Sequence, residues 1–246
     1  NIVYSDATKG WIPLEDDVTA LEPVAPPTQK AIFGYGTTGS NVSLTNLVSS
    51  SGVVAADVTG VGTARSLLAA AGYGGDKAIF GYGNSGSRVS ISNLVNNSGV
   101  VAADVTGVGT ARDELAAATY GTDKAIFGYG NTGSSSSLTN LVSNSGVVAA
   151  DTTGVGTARW SLAATGYGTD KAIFGYGYDG SSRVSMTNLV NSSGVVATDV
   201  SGVGTARNAL AAASYGGDKA IFAYGTTDSA NVSISNLVNN SGVVAS

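Results

Sequence analysis

Each of four repeated arginines is followed by a pair of side chains that changes from repeat to repeat, and some of those side chains are equipped for chemistry. The phrase GVGTAR ends at Arg65, Arg112, Arg159 and Arg207, and the next residues are Ser66-Leu67, Asp113-Glu114, Trp160-Ser161 and Asn208-Ala209. Trp160 heads the third of these pairs, and Tyr178, Asp179 and Arg183 follow shortly after it. Aromatic rings beside hydrogen-bonding groups suit a sugar: the ring covers its apolar C–H patch while polar neighbours bond its hydroxyls. Asp113, Glu114, Asn208, Ser66 and Arg88 complete the candidate ligand-binding set. The competing readings are drift at exposed positions and, for Trp160, the filling of a gap between repeats.

Catalysis finds less support. Histidine and cysteine are absent, which removes the usual nucleophile–base pairs and thiolate metal sites. A glycosidase needs two carboxylates facing each other across a cleft. Asp113 and Glu114 are neighbours and, as strand residues, would point to opposite faces, so either one with Asp179 is the only pairing to test. Asp57, Asp104, Asp151 and Asp199 each lie eight residues before an arginine. One carboxylate per repeat at fixed spacing reads as a bond between repeats rather than a metal ring. Arg65, Arg112, Arg159 and Arg207 read as structural donors to backbone carbonyls or to those aspartates. The GYG turns lack the following helix and lysine of a phosphate loop. The expectation is a non-enzyme with no cofactor and no metal.

The elements that must position these residues come from a 47-residue repeat. KAIFGYG recurs at Lys30, Lys77, Lys124 and Lys171, and as KAIFAYG at Lys219. The period slips by one residue where the fourth and fifth turns after GYG lengthen. Within 66–112, SLLAAAGY, KAIFGYG, VSISNLV and GVVAADVTGV form four apolar or alternating runs separated by glycine-bearing turns. Such runs predict a meander of strands A, B, C and D. One small sheet cannot bury both its faces, but five arranged radially can. The alanines of run A suit the crowded inner position. The alternative is an open β or α/β repeat solenoid, the latter because alanine also favours helix, although each run is short and ends at Gly-Tyr-Gly or a near variant. In such a blade the start of A, the end of B and the start of C share one face, which therefore collects the variable residues.

Runs B, C and D occur five times and the arginine-led A run four times. Residues 1–29 are expected to complete the ring, with Val24 to Gln29 in the slot before Lys30 despite Pro26 and Pro27. Residues 30–246 then form the repeat domain, with repeats starting near 30, 77, 124, 171 and 219.

The phrase TAR-xx-L-AA-xx-YG-x-DKAIFGYG resembles the kelch repeat, which begins with an arginine, runs through a small-residue strand and ends its second strand in a glycine pair. Here Gly-Tyr-Gly replaces the double glycine, and no tryptophan marks the fourth strand. The resemblance covers residues 30–246 and implies an all-β, five-bladed kelch-like β-propeller with four-stranded antiparallel blades; it names no ligand. The leader NIVYSDATKGWIPLEDD, with the GYG, NLV and GVGTAR phrases, resembles segments of virion proteins of tailed phages, especially marine ones. That likeness implies a virion-surface or tail-fibre module whose residues 1–29 meet other virion subunits.

Composition narrows the partners. A net charge of −5 and a pI near 4.5 argue against nucleic acid, which needs clustered Lys and Arg. No run reaches the 18 or so apolar residues of a membrane span. The expected function is non-enzymatic binding of a glycan or host-surface receptor on a virion or extracellular structure, and the alternative is structural decoration of a capsid, tail or filament. Nearly identical units are also suited to exchange between chains, which would make a homo-oligomer.

Overall fold

The computed structural model describes residues 2–6, 10–13 and 29–245. Its regular elements are all β-strands, with no helix among the described residues. β1 (Ile2–Asp6) and β2 (Gly10–Pro13) form a separate hairpin. The first repeat follows as β3 (Gln29–Thr37) and β4 (Asn41–Ser49). The second is β5 (Ala69–Tyr73), β6 (Lys77–Gly81) and β7 (Ser92–Val95), and the third β8 (Ala116–Tyr120), β9 (Lys124–Gly128) and β10 (Thr139–Val142). The fourth is β11 (Ala163–Tyr167), β12 (Lys171–Tyr178) and β13 (Arg183–Val190), and the fifth β14 (Ala211–Tyr215), β15 (Lys219–Ala223) and β16 (Ser235–Val238). Each repeat is its own antiparallel sheet, and no strand pairing joins one sheet to the next.

The alanine runs are therefore strands. Each is five residues long and pairs along its whole length with the KAIF strand, which leaves no room for a stable helical turn. The expected fourth strand is reduced. The valine-rich run meets strand C only at isolated bridges such as Val95↔Val101 and Ser92↔Val105. Between these bridges strand C advances three residues and the partner run four, so one residue is extra and the ladder breaks as a bulge. The same stretch carries Asp104, whose carboxylate is turned to the neighbouring repeat. The sheets are thus three-stranded (two in the first repeat), with a bridged fourth run.

Neighbouring sheets pack face to face in sequence order, with β5 against β8, β8 against β11 and β11 against β14. These alanine strands border one cavity of about 350 Å³. No contact of comparable extent joins β14–β16 to β3–β4 among the described residues. Of the ring-closing segment expected at Val24 to Gln29, residues 24–28 lie outside the described residues and Gln29 begins β3.

The seam between sheets follows from strand alternation. In KAIFGYG the alanine and phenylalanine face the preceding repeat, and the isoleucine and glycine face the next. Ile126 and Tyr129 accordingly pack with Ala172, Phe174 and Val190 in one buried cluster. Phenylalanine and tyrosine rings meet across every seam at centroid distances of 5.1 to 5.3 Å: Tyr35–Phe80, Tyr82–Phe127, Tyr129–Phe174 and Tyr176–Phe222. The glycine before the tyrosine is obligatory in the first four repeats, because the next repeat's phenylalanine lies directly on it. A Cβ built on Gly128 would sit 2.6 Å from the Phe174 ring.

Each repeat arginine then closes its seam from the other side. Arg65, Arg112, Arg159 and Arg207 are fully buried, with guanidinium carbons 4.1 to 4.3 Å from the ring centroids of Tyr35, Tyr82, Tyr129 and Tyr176. Arg65 donates Nη2 to Asn93 Oδ1 at 2.7 Å, and Asn93 donates Nδ2 to Asp104 at 2.9 Å. Asp104 also accepts from the Thr63 amide and hydroxyl. The network recurs as Arg112–Asn140–Asp151 and Arg159–Asn188–Asp199. Burial alone would raise the Asp104, Asp151 and Asp199 carboxyls, but the Thr and Asn hydrogen bonds outweigh it and hold them below the ordinary carboxylate range.

Two predictions follow from the seam. Gly128→Ala should lower stability by about 1–3 kcal/mol, the usual cost of forcing an atom into a packed core, read from urea unfolding. Burial also pushes the Tyr82 and Tyr129 hydroxyls up from 10.0 to about 12. Because the folded value exceeds the unfolded one, their contribution is complete below pH 10 and is lost as pH climbs toward 12. The part of the tyrosinate absorbance that Tyr82→Phe and Tyr129→Phe remove should therefore appear together with loss of β circular dichroism in that window, and its appearance before unfolding would contradict the assignment.

Candidate functional site

The variable pairs sit where strand A begins and the turn after GYG where strand B ends, and the two are directly paired. Isolated bridges join Ser66↔Asn84, Asp113↔Asn131, Trp160↔Tyr178 and Asn208↔Thr226. The second residue of each pair (Leu67, Glu114, Ser161, Ala209) holds φ between 50° and 54°, a left-handed conformation that costs a non-glycine residue about 1–2 kcal/mol. A backbone ladder holds it in place. The Glu114 amide donates to Leu67 O at 2.9 Å, Ser161 to Glu114 O at 2.9 Å, and Ala209 to Ser161 O at 2.8 Å. The main chain is fixed by its neighbours, so the side chain there is free to vary.

Trp160 and Tyr178 form the distinctive part of this face. Their backbones exchange two hydrogen bonds of 2.9 Å, and their rings meet edge to face, centroids 5.1 Å apart at 74°. Both are partly exposed. Beside them the Asp179 carboxylate accepts the amides of Ser181 and Ser182 at 2.7 and 2.8 Å. Those bonds, that from Ser182 first, hold its carboxyl below the ordinary range. Ser135 from the preceding repeat donates its hydroxyl to Asp179 O at 2.8 Å.

The other candidate residues are engaged with neighbouring side chains across repeats, except Ser66, which is paired within its own. Asp113 is 3% exposed; it accepts Arg88 Nε at 3.0 Å and Asn84 Nδ2 at 2.8 Å from the preceding repeat. Glu114 accepts the Ser161 hydroxyl. Arg183 donates Nε to Asn208 Oδ1 at 2.9 Å and pairs with Asp228. Ser66 exchanges backbone bonds of 2.8 and 3.0 Å with Asn84. Asn84, Ser135, Ser161 and Asp228 are therefore members of this face beyond the candidate set. Their signal is visible only when variable slots one repeat apart are compared as pairs, since Arg88 answers Asp113 as Arg183 answers Asn208.

Among the described residues no group of three or more Asp, Glu, His or Cys side chains is placed to share a metal ion. In comparisons with known proteins, no family model and no curated protein matches the chain. Asp113→Ala should cost about 1–3 kcal/mol, because it strips the acceptor from two partly buried donors. Glu114→Ala should cost less, and equal losses in urea unfolding would contradict the pairing described for Asp113.

Proposed function

We propose that the chain is a non-enzymatic binding module: a kelch-like, five-bladed β-propeller array that recognises glycans through its variable face on a virion or other extracellular surface. The blade reading is supported by four alanine strands bordering one cavity, each of them an edge strand of its own three-stranded sheet. In this reading the N-terminal residues complete the fifth interval and meet neighbouring subunits. The binding reading rests on one observation above all. Once the residues spent on their neighbours are set aside, Trp160 and Tyr178 remain as two partly exposed rings flanked by an ionised Asp179 and by serine hydroxyls. Apolar ring edge and hydrogen-bonding rim together match a pyranose, and no general acid–base pair accompanies them.

A second reading is favoured by the same face. Arg88–Asp113, Ser161–Glu114 and Arg183–Asn208 match the second, third and fourth repeats each to the one that follows, as an assembly protein would need if its variation served order within the array.

A panel of immobilised glycans separates the two. The full chain should bind a subset, and Trp160→Ala and Tyr178→Ala should each weaken that binding at least about tenfold, or 1.4 kcal/mol, with unchanged circular dichroism. Binding that survives both substitutions, or no binding by the full chain, supports the assembly reading instead.

A further inference from the structure

Four of the five repeats carry glycine where the next repeat's phenylalanine lands. A Cβ at Gly34, Gly81, Gly128 or Gly175 would lie 2.9, 2.6, 2.6 and 2.7 Å from the ring of Phe80, Phe127, Phe174 and Phe222 respectively. Real Cβ contacts do not become that short, so glycine is the condition for a phenylalanine to sit there. The fifth repeat reads KAIFAYG, with Ala223 at this position. It is also the repeat whose tyrosine has no phenylalanine against it among the described residues: Tyr224 is 62% exposed. At the opposite end of the array Phe33 is equally exposed at 62%.

These two ends are the halves of one seam. The fifth repeat offers Ile221, Tyr224 and the exposed Leu237, and the first offers Phe33 and the exposed Val54. Inside the chain the same combination of faces is buried four times. Contact between unlike ends of separate chains does not close on itself, and it grows filaments. We propose that Ala223 blocks this contact: its methyl occupies the place that Phe33 of a second copy would need, so copies of this chain do not join end to end through these faces. The methyl equally bars Phe33 of the same chain, so any cover on the Tyr224 face is something other than a repeat's phenylalanine. None of this depends on glycan binding.

Sedimentation velocity of the full chain over a wide concentration range tests the idea. The natural sequence should keep one sedimentation coefficient. Ala223→Gly restores the residue that the other four repeats carry and should keep the fold. Its average mass should climb with concentration to at least about twice the monomer's, as a non-closing contact requires. Adding Phe33→Asp should return it to the monomer. An Ala223→Gly variant that stays monomeric overturns the proposal, as does a natural sequence whose own association is abolished by Phe33→Asp.

Discussion

A phenylalanine ring lying on a bare glycine backbone is the contact on which the rest of the array depends. It forces the next sheet to approach within van der Waals distance of the glycine, and that approach brings the following tyrosine against the same ring, edge-on in three seams and tilted in that of Tyr129 and Phe174. The tyrosine holds φ near 62°, and in three of the seams the arginine that stacks on its ring donates Nε to the carbonyl of the next repeat's tyrosine, as Arg65 does from Tyr35 to Tyr82. Edge-to-face ring pairs contribute about 0.5–1.5 kcal/mol beyond area burial, and a desolvated cation over a ring adds about 2 kcal/mol. The buried arginine is a different matter energetically. Desolvation opposes it, and its Asn–Asp relay offsets that cost rather than exceeding it. Its larger effect is to fix spacing: only a sheet in the correct register supplies the asparagine, the aspartate and the tyrosine together.

A seam of this kind leaves little freedom in strand B and much at its far end. The turn after GYG and the pair after the arginine lie beyond the phenylalanine contact, on backbone already held by the cross-repeat ladder. Variation is therefore tolerated there. Part of it has been taken up in matching neighbours, as Arg88 does with Asp113 and Arg183 with Asn208. Trp160 and Tyr178 match each other within one repeat, which leaves their outer surfaces for something else.

Much of this architecture can be read from the residues alone, and the exceptions have physical causes. Strands A, B and C are legible because their alternation is local, and so is the convergence of variable positions on one face, since both strand ends lie beside the same turns. The fourth run is not, because its one extra residue relative to strand C emerges only when the two are paired, as at Ser92↔Val105 and Val95↔Val101, and no local pattern encodes that register. Alanine content suggests helix as readily as strand, and only pairing with KAIF decides it. The burial of Asp113 is hidden for the same reason as its partner Arg88: each looks like an exposed charge until repeats are superposed one unit apart. Ala223 stands out in the sequence as a lone departure, but its meaning needs the ring that is missing from its surface.

If the seams carry the stability, the array should be firmest where a sheet has a seam on both sides and weakest at its ends, as nearest-neighbour coupling dictates in repeat proteins. Native-state hydrogen exchange resolved by residue measures this directly. The amides of β8, β9, β11 and β12 should exchange slowest and share one opening free energy, while those of β3, β4, β14 and β16 open more readily. Equal protection in all five sheets, or faster exchange in the third and fourth than in the fifth, would contradict the account.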